Sequence, residues 1–293
     1  MQRGTLLGIV AILLWSTLAS LSVLASNIPP FELTSMAFFV AFIIGLIIWK
    51  KEKNGIWIHF KHPFKIWLLG VSGLFGYHYF YFLAVRNAPA IEANLINYLW
   101  PLFIVLFSSF LPKEKLRWFH VIGVILGLSG VVFLVINGGE FEFDIKYTDG
   151  YLYAFIAALI WAIYSVLSRY FADIPTSAVG AYCGVTAVLS LLAHFAFETT
   201  VVPTWQETII IVLIGLGPVG GAFFVWDYGM KKGDIQLLGS LSYFTPLLST
   251  MILILLGLSK PNSTIWIACL LIVLGSIVSS LPLFKKIYIR LIS

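Results

Sequence analysis

Ten runs of predominantly apolar residues, each about 20 residues long, follow one another along the chain. A membrane-crossing α-helix needs about 20 such residues, so each run predicts one span of an all-α polytopic membrane protein. The predicted spans are 4–25, 31–49, 65–86, 91–111, 117–137, 150–170, 176–198, 207–230, 235–258 and 264–284.

The second half of this pattern repeats the first half. Shifts of 145 or 146 residues superpose like residues, and the matched pairs are Gly70 and Gly215, Gly76 and Gly221, Tyr98 and Tyr243, Pro101 and Pro246, and Trp15 and Trp161. Each copy holds five spans, an odd number, so the two copies must insert upside down relative to each other. Inverted repeats are typical of secondary transporters. We therefore expect a first five-helix repeat at 1–137, an external connecting loop at 138–149, and a second, inverted repeat with a short tail at 150–293.

Composition agrees with a membrane protein. Only 11% of the residues are charged and 60% are apolar, whereas a soluble domain has about 25% charged residues. The net charge of +5 is spread between the apolar runs, so we expect a lipid bilayer and a small-molecule substrate as partners, and no nucleic acid. The two cysteines, Cys183 and Cys269, lie inside apolar runs, and no metal or cofactor is expected.

The distribution of Lys and Arg predicts the orientation. If both termini lie on one side, that side carries 15 of the 18 basic residues, and the other side carries only Arg86, Lys146 and Lys260. Cytoplasmic loops carry the excess of Lys and Arg. We therefore expect both termini in the cytoplasm and the chain in a bacterial inner membrane.

Proline residues interrupt two repeat-related spans. Pro101 and Pro246 each remove one helical hydrogen bond, which frees the carbonyls of Asn97 and Ser242 four residues earlier. A freed carbonyl at membrane depth must be buried in protein or line a wet cavity. A kink packed against neighbouring helices is the alternative to a cavity lining.

Aromatic and polar side chains gather at the middle of several spans. Those singled out as lining a substrate cavity are Trp15, Tyr77, His78, Tyr81, Asn97, Tyr98, Trp100, Trp161 and Tyr243. Tryptophan and tyrosine rings bind flat apolar groups by stacking, and cations over the ring face. For His78 alone, a histidine satisfied within the core is an equally good interpretation.

Two residues are candidates for coupling transport to protons, His78 and Asp227. Asp227 is an intramembrane carboxylate, and such groups are functional candidates by default. Lys231 lies four residues later on the same predicted helix, so a plain ion pair at the helix end is the alternative for Asp227.

Together these residues resemble a known family. Asn97-Tyr98-Leu99-Trp100-Pro101 and its counterpart Ser242–Pro246 are similar to the EamA-type members of the drug/metabolite transporter superfamily, and in particular to the aromatic amino acid exporter branch. Trp15, Trp161, and Trp226 with Gly229 extend the resemblance. It implies a basket of helices around a central cavity formed mainly by spans 1, 3, 4, 6, 8 and 9, and export of amino acids by alternating access.

The sequence departs from the wider superfamily at one point. The small four-span multidrug members use a glutamate in the first helix, and span 1 here has no acidic residue. The identity of the ion that would drive transport therefore stays open. Net uptake, and the export of hydrophobic or cationic drugs or of another metabolite, are alternatives to amino acid export. An intramembrane enzyme and a channel are remote alternatives, because no catalytic motif and no charged ring or filter loop is visible. A monomer would suffice, since both halves lie in one chain, although a dimer stays open.

Overall fold

The computed structural model describes residues 3–52, 55–112, 114–136, 144–258, 260 and 263–281. The secondary structure of these residues is helical, without strands. Eight helical segments are long and apolar enough to cross a membrane, and two shorter apolar helices complete the pattern. This confirms the all-α, ten-span fold. Most of the predicted connecting loop and the tail beyond 281 lie outside the described residues.

Half of the spans are single α-helices and half are interrupted. The single helices are span 2 (Pro30–Lys51), span 5 (Trp118–Ile136), span 6 (Thr148–Tyr170), span 7 (Val179–Phe197) and span 10 (Ser263–Ser279). The interrupted ones are span 1 (Arg3–Ser16 and Leu18–Leu24), span 3 (Phe64–Val71, a π-helical Ser72–Gly76, and Tyr77–Asn87), span 4 (Ala90–Asn97 and Trp100–Ser108), span 8 (Trp205–Leu216 and Gly221–Lys232) and span 9 (Ile235–Leu241 and Phe244–Leu255).

Most interruptions occur at repeat-related positions. Spans 4 and 9 break after Asn97 and Leu241, in each case just ahead of the proline, because proline lacks the N–H that would continue the helix. The π-helical turn of span 3 begins at Ser72, and the break in span 8 begins 145 residues later, at Gly217. The duplication therefore extends from the sequence to the irregular parts of the backbone.

Helix packing follows the same duplication. Span 1 packs on span 8 as span 3 packs on span 6, while spans 2, 4 and 5 each pack on their own counterparts, 7, 9 and 10. A Cβ added to Gly4 would lie 2.5 Å from the nitrogen of Gly233, and one added to Gly150 would lie 2.7 Å from the nitrogen of Ala88. The repeat shift relates Gly4 to Gly150 and Ala88 to Gly233, so the same contact occurs once in each arrangement of the two repeats. The two halves are therefore related by a pseudo-two-fold axis.

The repeats run in opposite directions. Arg169, at the end of span 6, donates hydrogen bonds to the carbonyls of Met230 and Gly233, and Gly233 lies against Gly4 at the start of span 1. Span 6 therefore ends where its repeat partner, span 1, begins. We call this end of the molecule the basic face, because spans 1, 6 and 8 place Arg3, Arg169 and Lys231–Lys232 there, and the other end the opposite face.

Candidate functional site

Four tryptophans from four spans form one cluster at the centre of the molecule: Trp15, Trp100, Trp161 and Trp226. All six pairs of rings are in contact, with centroids 4.9 to 6.4 Å apart. Most pairs are edge-to-face or tilted, which places the positive edge of one ring towards the negative face of another. Spans 1 and 4 of the first repeat and spans 6 and 8 of the second contribute to this tryptophan cluster, so it lies at the interface of the repeats.

The indole nitrogens of the tryptophan cluster differ in their partners. Trp226 is fully buried and donates to the Ser165 hydroxyl at 3.1 Å. The hydrogen bonds formed among the described residues include none from the indole N–H of Trp15, Trp100 or Trp161. Three of the four indole donors at the cluster are therefore unused within the described part of the chain.

Further aromatic side chains extend the tryptophan cluster on one side. The rings of Tyr77 and Phe223 both lie 5.5 Å from Trp161. Phe38 stacks on Phe223 at 5.5 Å and meets the His78 imidazole edge-to-face at 5.3 Å. The site is thus lined by a continuous set of aromatic rings, and His78 belongs to it.

The hydrogen bond made by His78 fixes its tautomer when it is neutral. Its Nδ1 lies 2.7 Å from the carbonyl oxygen of Leu74, one turn earlier in span 3. A carbonyl only accepts, so Nδ1 carries the hydrogen and Nε2 is left as the acceptor of the neutral ring. His78 can therefore take up a proton at Nε2 without losing its contact with Leu74.

Two tyrosine–asparagine pairs join spans 3 and 4. The Asn97 amide donates to the Tyr77 hydroxyl at 3.2 Å, and the Tyr81 hydroxyl donates to the Asn94 amide oxygen at 2.8 Å. The rings of Tyr77 and Tyr81 stack with centroids 6.0 Å apart. Through Tyr77, this polar layer adjoins the tryptophan cluster.

The repeat-related tyrosines 98 and 243 occupy different surroundings. Tyr98 is half-buried, and its phenol is close enough to those of Tyr77 and Tyr81 to interact with both. Tyr243 is completely buried, packs with Val124 and Leu247, and lies over Gly127. The break in span 9 directs Tyr243 towards span 5, so we leave this residue out of the binding site that the sequence predicted for it.

Asp227 lies in an ion pair on the basic face. Its carboxylate is 2.7 Å from the Lys231 ammonium group and accepts a hydrogen bond of 2.7 Å from Thr176. Lys231 in turn donates to the carbonyl of Ile174 at 2.9 Å. This geometry matches the ion-pair alternative of the sequence analysis, and it ties span 8 to the connection between spans 6 and 7.

Trp226 and Phe223 are not among the residues that the sequence predicts to line the cavity, although a signal for both is present in the sequence. The 145-residue shift that relates the two halves places Trp226 on Tyr81 and Phe223 on His78. Both counterparts were singled out as cavity residues. Applying the shift to the whole set of candidates would have found them.

The comparisons with known proteins give the family. The model of the EamA-like transporter family matches residues 2–136 and again residues 148–281. This chain belongs to the EamA-like transporter family. The match confirms the resemblance drawn from the motifs around Pro101 and Pro246, and it covers most of both halves.

Individual relatives agree with the family. The chain is 48% identical to the aromatic amino acid exporter YddG of Ancylobacter novellus over 96% of this chain and 98% of that protein. It is 26% identical to proteins of the same name from Salmonella typhimurium and Escherichia coli, in each case over 94% of this chain and 96% of the relative. A solved crystal structure of a protein 46% identical superposes with a TM-score of 0.92, covering 97% of this chain and 98% of the other.

Proposed function

We propose that this EamA-like transporter exports aromatic and other apolar amino acids by alternating access, and that it binds them at the tryptophan cluster. The observation that carries the proposal is the meeting of four tryptophans from both repeats, three of which have an indole N–H without a partner among the described residues. Rings stack on an aromatic substrate side chain, and indole N–H groups donate to its carboxylate. The names of the relatives support the same substrate class.

The proposed binding residues are those that line this site. They are Trp15, Tyr77, His78, Tyr81, Asn97, Tyr98, Trp100, Trp161 and, from the structure, Phe223 and Trp226. A site at the interface of two inverted repeats can open to either side as one repeat rocks against the other. The substrate is transported unchanged, so we propose no enzymatic step, and one chain holds the complete site.

The proposed location is the bacterial inner membrane with both termini in the cytoplasm. The excess of Lys and Arg on the side of the termini supports this orientation. The basic face would then be cytoplasmic and the opposite face external.

Purified protein in liposomes provides the test of the proposed function. We expect saturable uptake of labelled Trp, Phe and Tyr, and a fall of about 10-fold or more in kcat/KM for Trp100→Ala and Trp161→Ala, because each loses ring contacts with the substrate. Trp205→Ala and Trp266→Ala are matched controls, since their side chains are about three-quarters exposed on the surface. These two variants should transport as the unsubstituted protein does.

The outcomes separate the alternatives. Unchanged kinetics in both Trp100→Ala and Trp161→Ala would remove the tryptophan cluster from the binding site. Saturable flux of cationic dyes, with none of any amino acid, would instead indicate drug export. Flux that does not saturate with substrate would indicate a channel.

A further inference from the structure

The two proline breaks leave different groups without partners. In span 9, the N–H of Thr245 donates to the carbonyl of Ser242 at 3.0 Å, and the Ser242 hydroxyl donates to the carbonyl of Leu238 at 2.7 Å. The carbonyl freed by Pro246 is therefore satisfied within its own span.

The repeat-related residue in span 4 is Asn97, and its side-chain oxygen is not satisfied in this way. The Asn97 amide oxygen is sealed from solvent and has no donor among the residues that the structure describes, and the residue is only 4% exposed. A buried acceptor without a donor is costly and rare in native proteins, so a donor supplied by a ligand would complete this position.

The surroundings of Asn97 suit a positively charged donor. Asn97 is the last residue of the half-helix Ala90–Asn97, and the C-terminal end of a helix carries partial negative charge. The ring of Tyr77, which Asn97 contacts through its amide nitrogen, lies beside Trp161. An aromatic face next to a free amide oxygen attracts a cation.

We propose that Asn97, at the break in span 4, binds the ammonium group of the amino-acid substrate. This inference rests on the proposed function and adds the orientation of the substrate. The ammonium group, with three donors, lies at Asn97, while the aromatic side chain lies among the tryptophans. Because the amide oxygen is sealed, we expect the Asn97–Tyr77 hydrogen bond to open as the substrate enters.

Direct binding to the purified protein tests this orientation. The probes are labelled tryptophan and unlabelled indole-3-propionate, which keeps the indole ring and carboxylate but has no ammonium group. For Asn97→Leu we expect the Kd of tryptophan to rise by about 10- to 100-fold, the range of a hydrogen bond to a charged group, with competition by indole-3-propionate unchanged. Asn97→Asp keeps an acceptor and should retain tryptophan binding.

Two further variants complete the design. Ser242→Ala changes the matched position of the other repeat and should leave the Kd of both probes unchanged. A second side chain of this half-helix, Glu92, also has a sealed oxygen without a partner among the described residues, its Oε2. Glu92→Gln removes its charge and replaces one carboxylate oxygen by an amide nitrogen, and we expect no selective loss of tryptophan binding. Elution as a single peak on size exclusion shows that each variant is folded.

Several results would overturn the inference. One is an unchanged Kd of tryptophan in Asn97→Leu, and another is an equal loss of affinity for both probes in that variant. A loss of affinity for tryptophan in Glu92→Gln alone would also overturn it, as would the absence of tryptophan binding to the unsubstituted protein. Tryptophan binding that depends on Asn97, in liposomes that show no tryptophan flux, would support the inference and overturn only the proposed transport.

Discussion

At the scale of single residues, the Asp227–Lys231 pair has a structural role in this geometry. Both side chains are buried, and each also bonds to the connection between spans 6 and 7, at Thr176 or Ile174. Removing one partner of a buried ion pair leaves the other charge uncompensated, at a cost of about 3–5 kcal/mol. The pair therefore stabilises the packing of span 8 against the connection between spans 6 and 7.

Asp227→Asn should lower the unfolding temperature of the purified protein, because Lys231 loses its counter-charge inside the protein. Asp227→Asn combined with Lys231→Met should recover most of that loss. We expect substrate flux to respond to an imposed pH gradient as in the unsubstituted protein. If the single variant keeps its stability but loses that response, Asp227 couples protons and the ion-pair interpretation is wrong.

Single residues also show how far the sequence could predict the site. The sequence predicts Trp15 and Trp161 as lining one cavity, because the repeat pairs these residues at mid-span, and in the structure their rings lie 5.6 Å apart. The burial of Tyr243 could not be predicted in the same way. A helix break changes the direction of the side chains near it, and Tyr98 and Tyr243 diverge although their neighbouring motifs match.

At the scale of helices, close approach at glycine holds the interfaces together. Spans 2 and 7 cross at Gly45 and Gly180, where an added Cβ on Gly45 would lie 2.7 Å from the Gly180 Cα. The Ser35 hydroxyl donates to the Ala187 carbonyl at 2.9 Å across the same pair of spans. Small residues and interhelical hydrogen bonds are how helices associate where lipid replaces water.

Gly45→Ala should therefore destabilise the protein by about 1–3 kcal/mol, the usual cost of overpacking, because spans 2 and 7 must move apart. Gly76→Ala is the matched control, since the nearest atom to an added Cβ there, on Ile160, is 3.6 Å away. Thermal unfolding in detergent measures both variants. Equal melting temperatures for the two would show that the Gly45–Gly180 contact is not tight in solution.

The sequence predicted the helices better than their interruptions. The spans follow from run length alone, because every backbone group in a membrane must be satisfied within a helix or a barrel. The breaks in spans 4 and 9 follow from proline chemistry. The break between Leu216 and Gly221 contains Pro218 and has the same cause. The π-helical turn at Ser72–Gly76 contains no proline and has no such local cause.

At the scale of the whole molecule, the two repeats have different conformations. The half-helices that begin spans 4 and 9 are related by the repeat, yet Ile91 is 50% exposed whereas its counterpart Gln236 is 5% exposed. On the basic face, Arg169 bridges the carbonyls of Met230 and Gly233 and the Glu114 carboxylate. The repeat shift maps Arg169 onto the uncharged Val23 and Leu24, so the corresponding tie at the opposite face is missing.

This asymmetry predicts how the other state of the transport cycle differs. If the repeats exchange conformations, the start of span 4 becomes buried and the start of span 9 becomes exposed. Arg169→Leu removes the tie on the basic face and should shift the population towards that state. The measurement is the rate of maleimide labelling of Ile91→Cys and of Gln236→Cys, in a background in which Cys183 and Cys269 are replaced by alanine.

With Arg169→Leu we expect labelling of Gln236→Cys to rise by roughly 10-fold, the scale of losing charged hydrogen bonds, while labelling of Ile91→Cys falls. Arg117→Leu is the control, because its side chain is exposed and does not join these helix ends. Opposite changes at the two positions are the signature of alternating access, since one repeat closes as the other opens. A rise in the labelling rate at both positions would instead mean that Arg169→Leu loosens the fold. The contacts of Arg169 would then not be what holds the basic face closed.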